Sequence, residues 1–218
     1  MTGIRITSGI IVSLLCAVGF GAIALLIGDQ RIEGFDNAVI SFVRGLESDV
    51  WTNVFVFFTW MGSGLCAGII SLAAMVFLYA VLGHRKELIL LASVGAGSWI
   101  LNETLKAIFE RARPTVNRIV EAVGYSFPSG HSMGAFSLYG ILAFLLWKHI
   151  RSVSGRILLL VVSGFFVLMI GVSRIYVGVH YPSDIVGGYL ASGCWVFAAI
   201  WVYQKTVASK QAAGESRK

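Results

Sequence analysis

The sequence predicts an all-α, polytopic membrane protein with six transmembrane helices, an interfacial helix between the first two, and both termini in the cytoplasm (N-in/C-in). Three observations predict this fold. Only 13% of the 218 residues are charged and 57% are hydrophobic, with a mean hydropathy of +0.82, whereas a soluble domain carries roughly 25% charged residues. Apolar runs of about 20 residues, the length that crosses a bilayer, recur along the chain. The loops between these runs alternate in charge.

The first apolar run is too long for the core of a signal peptide and predicts a retained first helix. The polar connector of residues 28–49 carries apolar side chains at helical spacing over residues 35–46, which predicts a short amphipathic helix at the membrane interface. The second run is longer than one span needs, so we expect its start to lie at the interface. The six predicted spans are residues 8–27, 54–82, 88–109, 131–147, 157–179 and 184–203.

Cationic residues gather on one set of loops and at both ends of the chain, which predicts that this side is cytoplasmic. A five-span arrangement, with one of the shorter segments re-entrant, remains the alternative. We interpret residues 1–204 as a single transmembrane domain and residues 205–218 as a disordered cytoplasmic tail. The cationic set comprises Arg5, Arg85, Lys86, Lys148, Arg151, Arg156, Lys205, Lys210, Arg217 and Lys218.

The composition argues against two other classes of function. The net charge of +6 comes from cations that punctuate the apolar runs, without the basic stretches that nucleic-acid binding requires. The three cysteines, Cys16, Cys66 and Cys194, each lie inside an apolar run and form no C-x-x-C pair. The cysteines therefore predict neither a metal site nor a disulfide.

Several polar residues do not fit a passive helical bundle. Lys106, Arg174 and Asp184 lie at or within span ends, although a charge deep in a bilayer costs roughly 2.5–3.5 kcal/mol even on the more lenient scale. The third span runs outward, the fourth starts outside and the fifth ends outside. These residues, together with His131 and His180, are therefore expected to meet on the extracytoplasmic face.

The same residues suit a phosphate site. Lys106, Arg113 and Arg174 supply cationic donors for phosphate oxygens. Pro128 suits a first helical position, which would leave Ser129 and Gly130 at a helix N-terminus that favours an anion. Two histidines suit a nucleophile and a general acid, and Asp184, in the first turn after Pro182, can orient a histidine.

Three motifs in the second half of the chain carry these residues at fixed spacing: Lys106-x6-Arg113-Pro114, Pro128-Ser129-Gly130-His131 and Ser173-Arg174-x5-His180-x3-Asp184. On these motifs the sequence resembles the type 2 phosphatidic acid phosphatase family, which also includes the vanadium-dependent haloperoxidases. Every signature position is met. Within the family, the short length and single domain are most similar to the bacterial phosphatidylglycerophosphatases.

The resemblance implies a role for each residue. His180 would attack phosphorus and form a phosphohistidine, Asp184 would hold His180 in its reactive tautomer, and His131 would protonate the leaving oxygen and then activate water. The phosphate would be bound by Lys106, Arg113, Ser129, Gly130 and Arg174. The family needs no metal and no other cofactor, and three cations would stabilise the transition state in place of Mg²⁺.

The expected activity is hydrolysis of a phosphorylated membrane lipid by a multi-pass cell-membrane enzyme. Phosphatidylglycerol phosphate is the first candidate, and undecaprenyl pyrophosphate and phosphatidic acid follow closely. A non-catalytic binder or transporter of lipid phosphates is the alternative, and haloperoxidase chemistry suits a membrane-embedded chain poorly. The expected partners are the lipid substrate and the bilayer, with no nucleic acid and no obligate protein partner. Asn102 and Glu103 either line the site or bond between helices.

Overall fold

A computed structural model describes residues 3–80, 83, 85–115 and 118–215. Over these residues the protein is entirely helical and has no β-strand, which confirms the all-α prediction. The helices are α1 (Gly3–Gly28), α2 (Glu33–Arg44), α3 (Asp49–Met61), α4 (Gly64–Ala80), α5 (Arg85–Phe109), α6 (Gly130–Trp147), α7 (Val153–Tyr176) and α8 (Pro182–Glu215).

Within the described residues, five helices are long and apolar enough to cross a membrane by themselves: α1, α5, α6, α7 and α8. The predicted second span is instead a pair of helices, α3 and α4, bent by 55° at a short break. Gly62 ends α3, and the Ser63 hydroxyl accepts a hydrogen bond from the Cys66 N–H, which caps the start of α4. The bundle has six spans if this bent pair crosses the bilayer once.

Helix α2 matches the predicted amphipathic segment. Its first turn carries Glu33 and Asp36 and its last turn carries Arg44, an order that complements the helix dipole. Asp36 and Val43 are buried, whereas Phe35 and Phe42 are exposed. The helix therefore presents an apolar outer face and directs one acidic side chain into the protein.

Helix α6 lies at the centre of the bundle, where it contacts α4, α5, α7 and α8, while α1 packs along α8. The main core lies between α5, α6 and α8 and includes Val94, Ile141 and Val196. Large apolar side chains on α1 and α7, such as Val18 and Val161, face outward. Outward apolar faces of this kind suit contact with lipid.

The end of α8 differs from the prediction for residues 205–218. The helix continues through Glu215, and residues 216–218 lie outside the described residues. Residues 205–213 include alanine, lysine and glutamine, which favour helix and let α8 extend beyond its apolar stretch.

The long connection between α5 and α6 is anchored by aromatic packing. Phe127 is fully buried and lies against Phe20 and Phe109, with ring centroids 5.4 Å and 5.0 Å away. Gly187 of α8 permits this contact, because a Cβ atom at that position would collide with the Phe127 ring. The anchored ring fixes its neighbour Ser126 at the start of α8.

Candidate active site

The predicted site residues come together at one end of the bundle. Helices α5 and α7 end there, and helices α6 and α8 begin there. His180 contacts both Asp184 and Arg113. The Ser129 N–H donates to the Asp184 carbonyl, which joins the starts of α6 and α8. Lys106, Gly130 and His131 line one cavity. The three motifs therefore converge, as their positions at span ends predicted.

His180 and Asp184 form the centre of this arrangement. The Nδ1 atom of His180 lies 3.2 Å from Oδ2 of Asp184, and both side chains are buried. A turn at Gly178, whose φ of 78° favours glycine, reverses the chain after α7. The His180 N–H then bonds to the Arg174 carbonyl at 3.3 Å, which sets the histidine beside the end of α7.

The contacts of His180 define its tautomer. Its Nε2 atom lies 3.2 Å from Nη1 of Arg113, a group that can only donate. Nε2 therefore carries the lone pair, and Nδ1 carries the proton that faces the Asp184 carboxylate. Burial lowers the pKa of His180 to about 4, although Asp184 acts in the opposite direction. The imidazole is consequently neutral near pH 7, and its Nε2 lone pair is directed at Arg113.

Arg113 is held by the backbone around it. Its guanidinium donates to the carbonyls of Val123, Gly124 and Val179 at 2.9–3.0 Å. The positive φ of Gly124, 75°, turns the loop so that neighbouring carbonyls face the guanidinium. Arg113 is therefore fixed beside His180 before any substrate arrives.

Arg174 is the most deeply buried of the three predicted phosphate-binding cations, with 5% of its surface exposed. Its Nη1 donates to the Thr59 hydroxyl at 2.7 Å, whereas its buried Nε–H has no partner among the described residues. A buried donor without a partner is costly. An anion at this position would satisfy it.

Lys106 lies on the last turn of α5, and its closest acidic neighbour is Glu103, 3.7 Å away. The Asn102 amide bridges α5 and α6, since its Nδ2 donates to the Pro128 carbonyl just before α6 and lies 3.1 Å from Sδ of Met133 on α6. The two residues left open by the sequence therefore differ. Asn102 bonds between elements, while Glu103 is half-exposed beside the cationic site.

The start of α6 differs in register from the prediction. The helix begins at Gly130, Ser129 is its N-cap, and Pro128 precedes the helix instead of occupying its first position. The Ser129 hydroxyl accepts from the N–H and the hydroxyl of Ser132. Ser129 is thus engaged within the protein, while the N–H groups of Gly130 and His131 make no hydrogen bond within the described part of the chain.

His131 faces the same cationic group. The cationic side chains of Arg174, Lys106 and Arg113 all lie close enough to act electrostatically on its imidazole. A Cβ atom at Gly62, in the break between α3 and α4, would lie 3.1 Å from His131 Cδ2 and 2.5 Å from Ile170. The break in the bent pair therefore leaves room for the histidine.

Four residues of the site escaped the sequence analysis. The Ser126 hydroxyl donates to Oδ2 of Asp184, and Thr59 bonds Arg174. Arg111 bridges Asp184 and Asp36 at 2.7 Å and 2.9 Å. Arg111 lies between two motif positions, and Asp36 is a buried acid on an amphipathic helix. In the sequence, neither the position of Arg111 nor that of Asp36 indicates that these two residues pair with each other.

A cavity of about 460 Å³ opens from this site between α4, α5 and α6. On α5 its lining runs from Leu91 to Lys106, a length of about 22 Å at 1.5 Å per residue. Small residues such as Gly68, Gly95 and Gly134 leave this space open.

In the described residues, no group of three or more His, Cys, Asp or Glu side chains is arranged to hold a metal ion.

Two curated proteins with assigned names are similar to this chain in sequence. Phosphatidylglycerophosphatase B of Bacillus subtilis (strain 168) is 38% identical over 91 residues, which cover 41% of this chain and 45% of the relative. A protein of Escherichia coli (strain K12) with a provisional undecaprenyl-diphosphatase name is 35% identical over 141 residues, covering 60% of this chain and 65% of the relative. The chain thus matches about half to two thirds of the length of these relatives.

The fold is also known. The crystal structure of a transmembrane PAP2-type phosphatidylglycerolphosphate phosphatase from Bacillus subtilis is similar with a TM-score of 0.75 and 26% sequence identity. The similarity covers 91% of this chain and 96% of that one. The family model described as the PAP2 superfamily matches residues 86–208, more than half of the chain and all three motifs. The chain therefore belongs to the PAP2 superfamily.

Proposed function

We propose that this protein is a membrane lipid phosphatase in which His180 accepts the phosphoryl group before water does. The observation that carries the proposal is the environment of His180. Its Nδ1–H is held by Asp184, and its Nε2 lone pair faces the cationic groups that would bind a phosphate. A neutral histidine held in this tautomer is a nucleophile, and a passive anion-binding site has no need of one.

The reaction would proceed in two steps. With the phosphate dianion bound, its negative charge offsets the surrounding cations and allows His131 to carry a proton. His180 Nε2 then attacks phosphorus, the bond from phosphorus to the lipid oxygen breaks, and protonated His131 gives its proton to that oxygen. His131, now neutral, then takes a proton from a water molecule as the water oxygen attacks the phosphohistidine. The N–P bond breaks, inorganic phosphate leaves, and both histidines return to their starting states.

The proposed electrostatic stabilisation comes from the protein itself. Lys106, Arg113 and Arg174 would surround the transferring phosphoryl group, and the N–H groups of Gly130 and His131 would add neutral donors. Ser129 would act mainly by capping α6, because its hydroxyl and its N–H are already engaged. Three fixed cations supply the charge that Mg²⁺ supplies in many phosphoryl-transfer enzymes, so we propose a metal-independent reaction.

The cavity supports a substrate anchored in the bilayer. It joins Lys106 and His131 to a channel between helices that is long enough for part of an acyl or isoprenyl chain. Among such substrates we place phosphatidylglycerol phosphate first, since the similar solved structure and one of the relatives carry that activity in their names. Undecaprenyl pyrophosphate follows, on the name of the second relative.

An activity panel in detergent tests this proposal. Purified protein should release phosphate from phosphatidylglycerol phosphate in excess EDTA, and vanadate should inhibit it, because vanadate can become five-coordinate and imitate the transition state. Undecaprenyl pyrophosphate and phosphatidic acid are the parallel substrates, and a ranking with either first would change the assigned lipid. Loss of activity in EDTA that Mg²⁺ restores would contradict the metal-independent reaction, and binding without phosphate release would favour a lipid-phosphate transporter.

We further propose that the site faces the extracytoplasmic side, on the basis of the cationic loops. Single cysteines at Val123, in the loop before α6, and at Ser154, near the start of α7, should report opposite sides in a variant that lacks Cys16, Cys66 and Cys194. Both positions are exposed. An impermeant maleimide should label Val123→Cys and spare Ser154→Cys in intact cells, with lysed cells as the control for reactivity. The reverse pattern would invert the proposed topology.

A further inference from the structure

We propose that Arg111 and Asp36 are positioning residues of the active centre, which hold Asp184, and through it His180, in the reactive geometry. This inference rests on the proposed function, since it assigns these residues to the reaction of His180. Neither residue is a signature position of the three motifs, and Asp36 lies on α2, some 70 residues before the first motif.

The Asp184 carboxylate needs a donor on each oxygen. Oδ2 accepts from the Ser126 hydroxyl, from the Tyr181 N–H at 2.9 Å and from Nδ1–H of His180. Oδ1 accepts from Nη1 of Arg111 at 2.7 Å. Because the Asp184 side chain is fully buried, the loss of Arg111 would remove the cation that fixes Oδ1 and allow the carboxylate to turn away from His180.

Asp36 fixes the other side of the same guanidinium. Its Oδ2 accepts from Nη2 of Arg111 at 2.9 Å and from the Ser183 hydroxyl at 2.7 Å, and its Oδ1 accepts from the Ser183 N–H at 2.8 Å. Asp36 therefore caps the N-terminus of α8 from a different helix. Helix α2 is joined in this way to the first turn of the helix that carries Asp184.

Arg111 balances the negative charges of both Asp36 and Asp184. Arg111 is one cation between two buried carboxylates, so removing it leaves two uncompensated anions in a space with little water. The ring of Tyr181 covers the guanidinium, with Cζ 4.0 Å from the ring centroid, and holds the plane of the fork. Since Tyr181 directly follows His180, the same network also restrains the segment that carries the nucleophile.

The charge partners of Arg111 also argue against direct phosphate binding, because Arg113 bonds only neutral groups, whereas Arg111 is already paired with two carboxylates. Its Nη1 donates to Ser183 and Asp184 and its Nη2 donates to Asp36. Arg174 differs, since its Nε–H has no partner within the described residues. Substitution of Arg111 should therefore slow turnover and leave substrate affinity nearly unchanged, whereas substitution of Arg174 should weaken both.

The test uses the full-length protein with three substitutions: Arg111→Lys, Arg111→Ala and Asp36→Asn. We expect kcat to fall by roughly 10- to 100-fold in Arg111→Ala, by analogy with the loss of a partner that orients a metal-binding histidine, with KM close to the parent value. Asp36→Asn should lower kcat by less, because Arg111 stays bound to Asp184. Arg111→Lys should retain intermediate activity. The lysine ammonium keeps the positive charge but lacks the planar fork of the guanidinium, which spans both carboxylates.

Chemical rescue gives a second measurement that an effect on folding alone would not produce. A cavity of about 360 Å³, lined by residues that include Asp36, Arg111 and Tyr181, opens beside the guanidinium. Millimolar guanidinium should therefore raise kcat of Arg111→Ala in a saturable way, and methylammonium should raise it less. Arg44→Ala, which removes the ion pair between the last residue of α2 and Glu47 in the following turn, is the matched control and should keep parental kcat with no response.

The outcomes separate this inference from the proposed function. Turnover by the parent and its loss in His180→Ala establish the function first, so an inactive parent would reject the function itself. With an active parent, a parental kcat in folded Arg111→Ala or Asp36→Asn would overturn the positioning role, as would a rise in KM alone or the absence of rescue. If Arg111→Ala does not fold, the kcat values of Asp36→Asn and Arg111→Lys decide in its place.

Discussion

Replacing His180 with alanine is expected to abolish turnover and any acid-labile phosphoenzyme, on every substrate. The side chain supplies the proposed nucleophilic Nε2, and no other group occupies its place between Asp184 and Arg113 in the described site. Replacing His131 with alanine should instead lower activity on a lipid phosphate by roughly 10²–10⁴-fold, the usual contribution of a general acid. The two histidines should therefore fail in different ways.

The difference becomes measurable with an activated substrate. The leaving group of para-nitrophenyl phosphate hardly needs a proton, so the His131→Ala defect should shrink on this substrate while His180→Ala remains inactive. The measurement is the activity of each variant relative to the parent on both substrates. His149→Ala is the control and should retain parental activity, because His149 lies beyond the far end of α6, which ends about 24 Å from His131 along the helix axis. Rescue of His180→Ala by the good leaving group, with His131→Ala inactive, would reverse the two roles.

Replacing Asp184 with asparagine should lower kcat by up to about 10⁴-fold, the loss caused by the corresponding change in a serine protease triad. The carboxylate faces donors on both oxygens, from Arg111 on one side and from His180, Ser126 and Tyr181 on the other. An asparagine amide must direct its NH₂ group at one of these sides, where donor meets donor. It also removes the negative charge that stabilises His180 when its Nε2 becomes bonded to phosphorus.

The measurement is kcat and KM of Asp184→Asn on the lipid, together with thermal unfolding to verify that the variant is folded. KM should change little, because Asp184 does not face the proposed phosphate. Asp49→Asn is the matched control, since Asp49 is also an acid in a first helical turn but is exposed. A folded Asp184→Asn with near-parental kcat would show that His180 does not depend on this carboxylate.

Most residues of the site could be predicted because of where they stand in the sequence. Six polar residues stand at or near the ends of apolar runs, where the free-energy cost of placing a polar group in a membrane makes each one conspicuous. These residues are Lys106, Arg113, His131, Arg174, His180 and Asp184. Their spacing within three motifs marks them jointly. Asp36 and Arg111 carry no such signal, because an acidic residue on an amphipathic helix and an arginine in a polar loop are ordinary when taken alone. Their pairing arises only when α2 packs beside the start of α8.

The helices show the same division. The apolar length of α1 or α7 was sufficient to predict a spanning helix, because hydrophobic length is a local property. The break in the second predicted span was not predicted, since the sequence Met61-Gly62-Ser63-Gly64 is apolar or small and leaves hydropathy almost unchanged. The position of the bend matters only in three dimensions, where Gly62 lies against His131 and Thr59 reaches Arg174.

The sequence by itself determined the membrane solvent, the helical class, the convergence of the motif residues on one end of the bundle and the phosphate chemistry they suit. These properties depend on composition, on periodicity and on short-range spacing, which the chain carries locally. Only the tertiary structure decided which donor each buried polar group uses. Ser129 caps a helix, Asn102 bonds between α5 and α6, and Arg111 joins Asp36 to Asp184. Such partners are chosen by long-range packing, because a buried polar group must bond to whatever donor or acceptor the fold brings within reach.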